Sequence, residues 1–133
     1  MRAQGKRILV IGGEAPVGRA IVIGMAEAGA NVAIASLTTD TQAEFAINSA
    51  LNEVWAIGRK GAALPIDATD PTQLRYAIES AEAELGALDA VIAVATDADG
   101  IGLRAAFPGQ RLIIANPEAD PSAALEGVVQ ELS

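Results

Sequence analysis

Residues 7–18 read Arg7-Ile8-Leu9-Val10-Ile11-Gly12-Gly13-Glu14-Ala15-Pro16-Val17-Gly18. Four aliphatic residues in a row, three of them β-branched, predict a short strand buried on both faces. The two glycines end it with a tight turn. Pro16 then opens a helix, because the N–H that proline lacks has no partner in a first helical turn. Ile21, Val22, Met25 and Ala28 carry the apolar face of that helix to a stop at Gly29. Strand, glycine turn and helix in that order predict the first half of a βαβ unit.

The same pattern repeats along the chain. Asn31 to Ala35 is a second apolar strand. Asp40 caps a helix whose Ala43, Ile47, Leu51, Val54 and Trp55 keep the 3.6 period, with Trp55 read as core or interface. Gly58 and Gly61 end it, and Arg59 and Lys60 sit near the negative end of its dipole. Residues 62–66 make a third strand. Asp70-Pro71 is a strong helix start with Gln73 three residues past the cap, and Leu74, Ala77, Ile78, Ala81 and Leu85 form its stripe. Ala90 to Ala95 is a fourth strand. Residues 96–109 hold three glycines and one proline without a period and are read as a loop. Leu112 to Ala115 is a fifth strand, and Asp120-Pro121 starts a last helix with Leu125, Val128, Val129 and Leu132 on one face.

The expected strands lie near 7–12, 31–36, 62–66, 89–95 and 111–115, and the helices near 16–29, 40–58, 71–85 and 120–132. Alternating buried strands and amphipathic helices predict an α/β fold, a Rossmann-like doubly wound parallel sheet of about five strands in the order 3-2-1-4-5. No repeat or linker divides the chain, so residues 1–133 read as a single domain.

Composition narrows the chemistry. The 133 residues are 51% hydrophobic but only 3% aromatic, so the core is aliphatic. The absence of cysteine excludes disulfides, thiolate metal sites and a cysteine nucleophile, and the absence of histidine excludes a Ser-His-Asp triad and imidazole catalysis. A net charge of −8 lacks the basic footprint of a nucleic-acid or anionic-membrane binder. No apolar stretch reaches the roughly 18 residues of a membrane span, and the run Ile8 to Ile11 is too short for a secretion signal. The expectation is a cytoplasmic protein without a metal site; Asp97 and Asp99, beside Gly100 and Gly102, lack the other ligands of a calcium loop.

Gly12, Gly13, Pro16, Val17 and Gly18 are the candidate nucleotide-binding residues, since a helix N-terminus behind a glycine turn offers N–H donors and a positive dipole end to a pyrophosphate. The alternative is that the glycines only preserve the turn. Ser36 ends the second strand, where an acid would take the ribose 2′-hydroxyl of NAD and an arginine nearby would accommodate the 2′-phosphate of NADP. Ser36 and Leu37 are neither, which leaves the choice open with a lean to NADP. Glu14 is expected to accept N–H groups of the following helix start and so to fill the anion site itself.

The chain resembles the short-chain dehydrogenases/reductases. The stretch Gly5 to Gly13 resembles the family's opening strand and glycine turn, and Gly29 to Ser36 its second strand. Asp67-Ala68-Thr69-Asp70 resembles an Asp-Val-Thr-Asp stretch whose first Asp meets the adenine amino group. Leu88 to Ile92 resembles the lead-in to the Asn-Asn-Ala-Gly motif, which falls on Ala93-Val94-Ala95-Thr96. Gln110 to Ile114 resembles the strand that carries the catalytic Ser, and Ser122 to Gly127 the start of the helix that carries the catalytic Lys. The resemblance thus implies NAD or NADP, weakly bound or absent, with Asp67, Ala68 and Ala95 added to the cofactor-binding set.

The departures concern catalysis. The catalytic Ser position falls on Asn116 or Pro117, and the Tyr-x-x-x-Lys pair on Glu118 and Ser122. The family's central glycine falls on Ala15 or Pro16. The expected protein is a truncated, non-catalytic relative, a nucleotide-binding or scaffolding subunit. It would pair as a homodimer, or with a full-length subunit of the family, through strand 111–115 and helix 120–132. One alternative is an NAD(P)-dependent oxidoreductase with displaced groups, such as Tyr76 or an acid of the 96–109 loop. Another is a ligand-free interaction module.

Overall fold

The aliphatic run behind Arg7 forms strand β1 (Arg7–Ile11), and every residue after Arg7 in it is buried. The elements that follow are α1 (Pro16–Glu27), β2 (Asn31–Ala35), α2 (Thr41–Ile57), β3 (Gly61–Leu64), α3 (Pro71–Leu85), β4 (Ala90–Val94), β5 (Leu112–Ala115) and α4 (Pro121–Leu132). The computed structural model describes residues 3–96, 103, 107 and 109–132. Most of the expected 96–109 loop, with Asp97 and Asp99, lies outside the described residues.

The five strands form one parallel sheet in the order β3-β2-β1-β4-β5, as the alternation predicts. Ile8 pairs with Val32 on one side and Ala90 on the other, so β1 is the central strand. Asp89 fixes the β1–β4 register at its start: its carboxylate accepts the Arg7 N–H at 2.8 Å while its own N–H donates to the Arg7 carbonyl at 2.8 Å.

Side chains alternate across β1. Ile8 and Val10 join Ile21, Met25, Ile34, Ile47 and Val54 in the core under α1, α2 and α4. Leu9 and Ile11 join Leu74, Ile78, Val91, Leu103 and Phe107 on the other face, under α3. Both faces of the central strands are therefore dry, which is why they read as unbroken apolar runs.

Two differences from the sequence reading, the end of β3 and the exposure of Trp55, have physical causes. Strand β3 stops at Leu64 and not at residue 66, because Pro65 has no N–H to give to a ladder. Trp55 is 56% exposed and is not a core residue; Val54 and Leu51 cover the sheet instead. The apolar stripe of α4 packs on its own chain. Val128 and Leu132 are buried and Leu125 lies over Gly24 of α1, where a Cβ would stand 2.3 Å from Leu125 Cδ2.

Candidate functional site

All strands run parallel, so their C-terminal ends share one edge. Neighbouring strands β2 and β4 leave β1 in opposite directions in the sequence order, and at that reversal doubly wound sheets open a crevice for ligands. A cavity of about 650 Å³ lies there. Ile11 closes it at the end of β1, and Ala93, Val94, Ala95 and Thr96 at the end of β4. Leu37 and Thr38 beyond β2, Ala68 and Thr69 beyond β3, and Pro71 and Leu74 of α3 complete one wall; Leu103 and Pro117 lie opposite. None of these described lining residues carries a titratable side chain.

The glycine turn lies against this cavity. Gly12 has φ +95°, a left-handed conformation, and a Cβ on it would stand 2.9 Å from Val94 Cβ and 3.5 Å from Leu37 Cγ, both lining residues. A Cβ on Gly18 would stand 2.0 Å from the Gly12 carbonyl oxygen, so only glycine lets α1 start this close to the turn. The peptide N–H groups of Gly12 and Gly13 both donate to the Ala35 carbonyl, at 2.8 and 3.2 Å, which ties the turn to the end of β2.

Helix α1 differs from the others at its start. Asp40 caps α2 by accepting from Ala43 N–H, Asp70 caps α3 through Thr72 N–H, and Asp120 caps α4 through Ala123 N–H. The N-cap of α1 is Ala15, and no side chain caps the helix. Its first-turn donors are left facing the turn without a side-chain acceptor, except that Pro16 removes one. That corrects the expectation for Glu14. Its carboxylate does not bond the helix start; Oε2 accepts the Leu37 N–H at 2.7 Å, across the turn at the end of β2. The strand end offers a free peptide donor within reach, and a short charge-assisted bond wins it. The other oxygen, Oε1, is buried with no hydrogen-bond partner.

The remaining candidates divide. Ala68 and Ala95 line the cavity, whereas Val17 and Gly18 are buried in the first turn of α1 and Pro16 is exposed. Ser36 is fully buried, and its hydroxyl clasps β2 to the chain after β3, accepting from Ile66 N–H at 3.0 Å and donating to the Ile66 carbonyl at 3.3 Å. Asp67 is absent from the lining. Its Oδ1 accepts the Thr69 hydroxyl at 2.6 Å and the Thr69 N–H at 2.9 Å, and these bonds hold its pKa below the ordinary 3.8. Gln73 accepts the Asp67 N–H and donates to the Asp70 carboxylate, a bridge from the loop to the α3 cap. Tyr76 is 56% exposed on α3 and does not line the cavity. Sequence reasoning passed over Thr38, Leu74 and the bond from Glu14 to Leu37; the last joins residues 23 positions apart and leaves no local pattern.

An adenine dinucleotide fits this arrangement. The uncapped start of α1 suits a pyrophosphate, the apolar wall of Leu37, Ala68 and Leu74 suits a base, and the unpaired Glu14 Oε1 lacks a donor. Among the described residues, no helix is long and apolar enough to cross a membrane and no cluster of carboxylates could hold a metal ion.

Known proteins agree with the topology. The family model for short chain dehydrogenase matches residues 6–107. A short-chain dehydrogenase/reductase of Armillaria gallica is 34% identical over 105 residues, covering 79% of this chain and 38% of the relative. An L-rhamnose 1-dehydrogenase (NAD(P)(+)) of a Sphingomonas species is 33% identical over 89 residues, covering 67% of this chain and 34% of the relative. The crystal structure of a short chain dehydrogenase from Burkholderia cenocepacia in complex with NADP superposes with a TM-score of 0.63 at 34% identity, over 71% of this chain and 37% of that one. A blue fluorescent protein from a metagenomic library, in complex with NADPH, gives 0.64 at 32% identity, over 69% of this chain and 36% of that one. The chain spans little more than a third of the length of these relatives, and residues 110–127, likened above to the catalytic strand and helix, lie beyond the matched span. The sheet order, the glycine turn and the match over residues 6–107 make this chain a member of the short-chain dehydrogenase family.

Proposed function

We propose that residues 1–133 bind an adenine dinucleotide across the C-terminal ends of β1, β2 and β4 and do not themselves catalyse hydride transfer. The observation that carries this reading is the cavity: it lies at the reversal of strand order, yet its described lining holds no acid or base. In the proposal Gly12, Gly13 and the first turn of α1 hold the pyrophosphate, and Leu37 and Ala68 flank the adenine. The strand end likened to the catalytic Ser reaches the cavity with Pro117, which can neither donate a side-chain proton nor orient a carbonyl. Binding is weak, because Pro16 withholds one donor and the chain is acidic. Assembly through strand 111–115 and helix 120–132 belongs to the same reading, since β5 is an edge of the sheet and Leu125 and Val129 of α4 are only half-buried in their own chain.

Titration of the purified chain with NADH, followed by calorimetry and nicotinamide fluorescence, is expected to show saturable binding. A panel of carbonyl and alcohol substrates at high protein concentration is expected to show no turnover. Turnover above background would support an oxidoreductase with displaced groups. Absence of binding would support an interaction module without ligand.

A further inference from the structure

We infer that α2 is a docking surface for a second copy of this chain, seated antiparallel on its own counterpart so that Phe45 of each copy meets Trp55 of the other. The inference stands apart from the dinucleotide reading and from the β5 edge. Helix α2 covers β2 and β3, at the opposite end of the sheet.

Among the described residues three large hydrophobic side chains are exposed, and two of them lie on α2: Phe45 at 76% and Trp55 at 56%. At about 100° per residue, Phe45, Asn48, Asn52 and Trp55 fall within about 80° of one another around the helix. All four are exposed and uncharged, in a chain with 17 acidic residues. A solvated helix face ordinarily carries charge. This one carries two aromatics and two amides, with the depletion of charge that marks the centre of an interface.

The order of these residues names the occupant. In a two-fold interface residue i of one copy meets residue j of the other, and j meets i. For antiparallel helices, an axis at the height of Ala50 sets Phe45 against Trp55 and Asn48 against Asn52. The same axis sets Asp40, at the start of the helix, against Lys60, just past its end; both are exposed. The Asp40 carboxylate is held in place by the cap bond from Ala43 N–H at 2.8 Å. A parallel pair would put Asp40 on Asp40 and Lys60 on Lys60. Charge therefore selects the antiparallel pair, and the opposed helix dipoles favour it too. Asn48 Nδ2 donates to the Glu44 carbonyl at 2.8 Å, which keeps its Oδ1 as the acceptor for the Asn52 amide across the axis.

The two aromatics bring no more than about 500 Å² per copy, below the roughly 800 Å² per partner of a standard interface. The dimer is accordingly weak and concentration-dependent, with a Kd on the order of 10 μM.

Trp55 is the only tryptophan and the chain has no cysteine, so emission and thiol chemistry both start from a clean background. Sedimentation of the full chain, from well below to well above that Kd, is expected to rise from the mass of one chain to that of two. The Trp55 emission is expected to shift to the blue in step. Phe45→Ser changes an exposed side chain and is expected to raise the Kd at least about tenfold, with the unfolding midpoint of the dilute protein unmoved. Thr41→Cys and Lys60→Cys, mixed, are expected to cross-link between chains with a short bifunctional thiol reagent. Neither is expected to do so alone, since the two copies of position 41 stand about 27 Å apart along an antiparallel pair. A monomer at every concentration would overturn the inference. So would a dimer whose Kd ignores Phe45→Ser or whose formation leaves Trp55 emission unchanged, which would assign assembly to another surface. Cross-linking by either variant alone, or none from the mixture, would overturn the antiparallel pairing.

Discussion

The Asp67 carboxylate takes two bonds from a single neighbour, the hydroxyl and the peptide N–H of Thr69. Both bonds favour the charged form, and the hydroxyl is the larger cause of the lowered pKa. Because the folded pKa is the lower one, the contribution to stability is whole above the ordinary value of 3.8 and drains as pH falls through the folded value. Thr69→Val removes the hydroxyl alone. The Asp67 titration midpoint, followed by carboxyl-carbon NMR, is expected to rise toward 3.8; a midpoint that stays where it is would mean that the peptide N–H does the whole job. Contacts of this range are legible in a sequence. Asp40, Asp70 and Asp120 read as caps because a capping carboxylate and the N–H that donates to it lie two or three residues apart. Ser36 is legible only as the end of a strand; the approach of Ile66 from beyond β3, which turns its hydroxyl inward, leaves no local pattern. The same holds for the carboxylate of Glu14, whose partner depends on how close the turn comes to β2.

Helix α4 tests the reading at the scale of an element. The period of Leu125, Val128, Val129 and Leu132 announced an apolar face, but a period does not say what the face meets. Gly24 decides it, by leaving a notch in α1 into which Leu125 fits. With Val128 only 3% exposed, Val128→Ala is expected to lower stability by roughly 2 kcal/mol through lost burial and a cavity. Denaturant unfolding and sedimentation run together check this. A fall in the unfolding midpoint without a change in sedimentation assigns the helix to its own core; dissociation of an assembly with the midpoint unchanged would assign it to a partner. Strand positions were legible to within about two residues, because a strand buried on both faces shows as an unbroken aliphatic run. The end of β3 was less so, since Ile66 is as apolar and as buried as the strand residues and only Pro65 interrupts the ladder.

At the scale of the whole molecule, the net charge of −8 opposes the dinucleotide proposed as ligand, itself an anion. Long-range repulsion slows their encounter where the screening length is long, about 30 Å at 0.01 M salt against about 8 Å at 0.15 M. The association rate of NADH, measured by stopped-flow fluorescence, is therefore expected to rise with salt across that range. A falling rate would reveal a local positive field at the mouth of the cavity that the total charge hides. The architecture was the most legible level of all, because the alternation of buried strands and helices leaves few parallel topologies open. The cavity was legible only as a location, since its walls come from the ends of separate strands and from loops whose side chains no periodicity governs.

The central strand also sets an order of events during synthesis on the ribosome. β1 can pair with β2 as soon as residues 31–35 are available, but its other side waits for residues 90–93. At roughly 5–20 residues per second the nascent chain carries an open, wholly aliphatic strand edge for a time on the order of seconds. The edge is Ile8 to Ile11, the most apolar stretch of the sheet. A ribosome-bound chain halted before β4 is thus a natural client for a holdase, whereas the finished chain, with β4 in place, offers that strand to nothing.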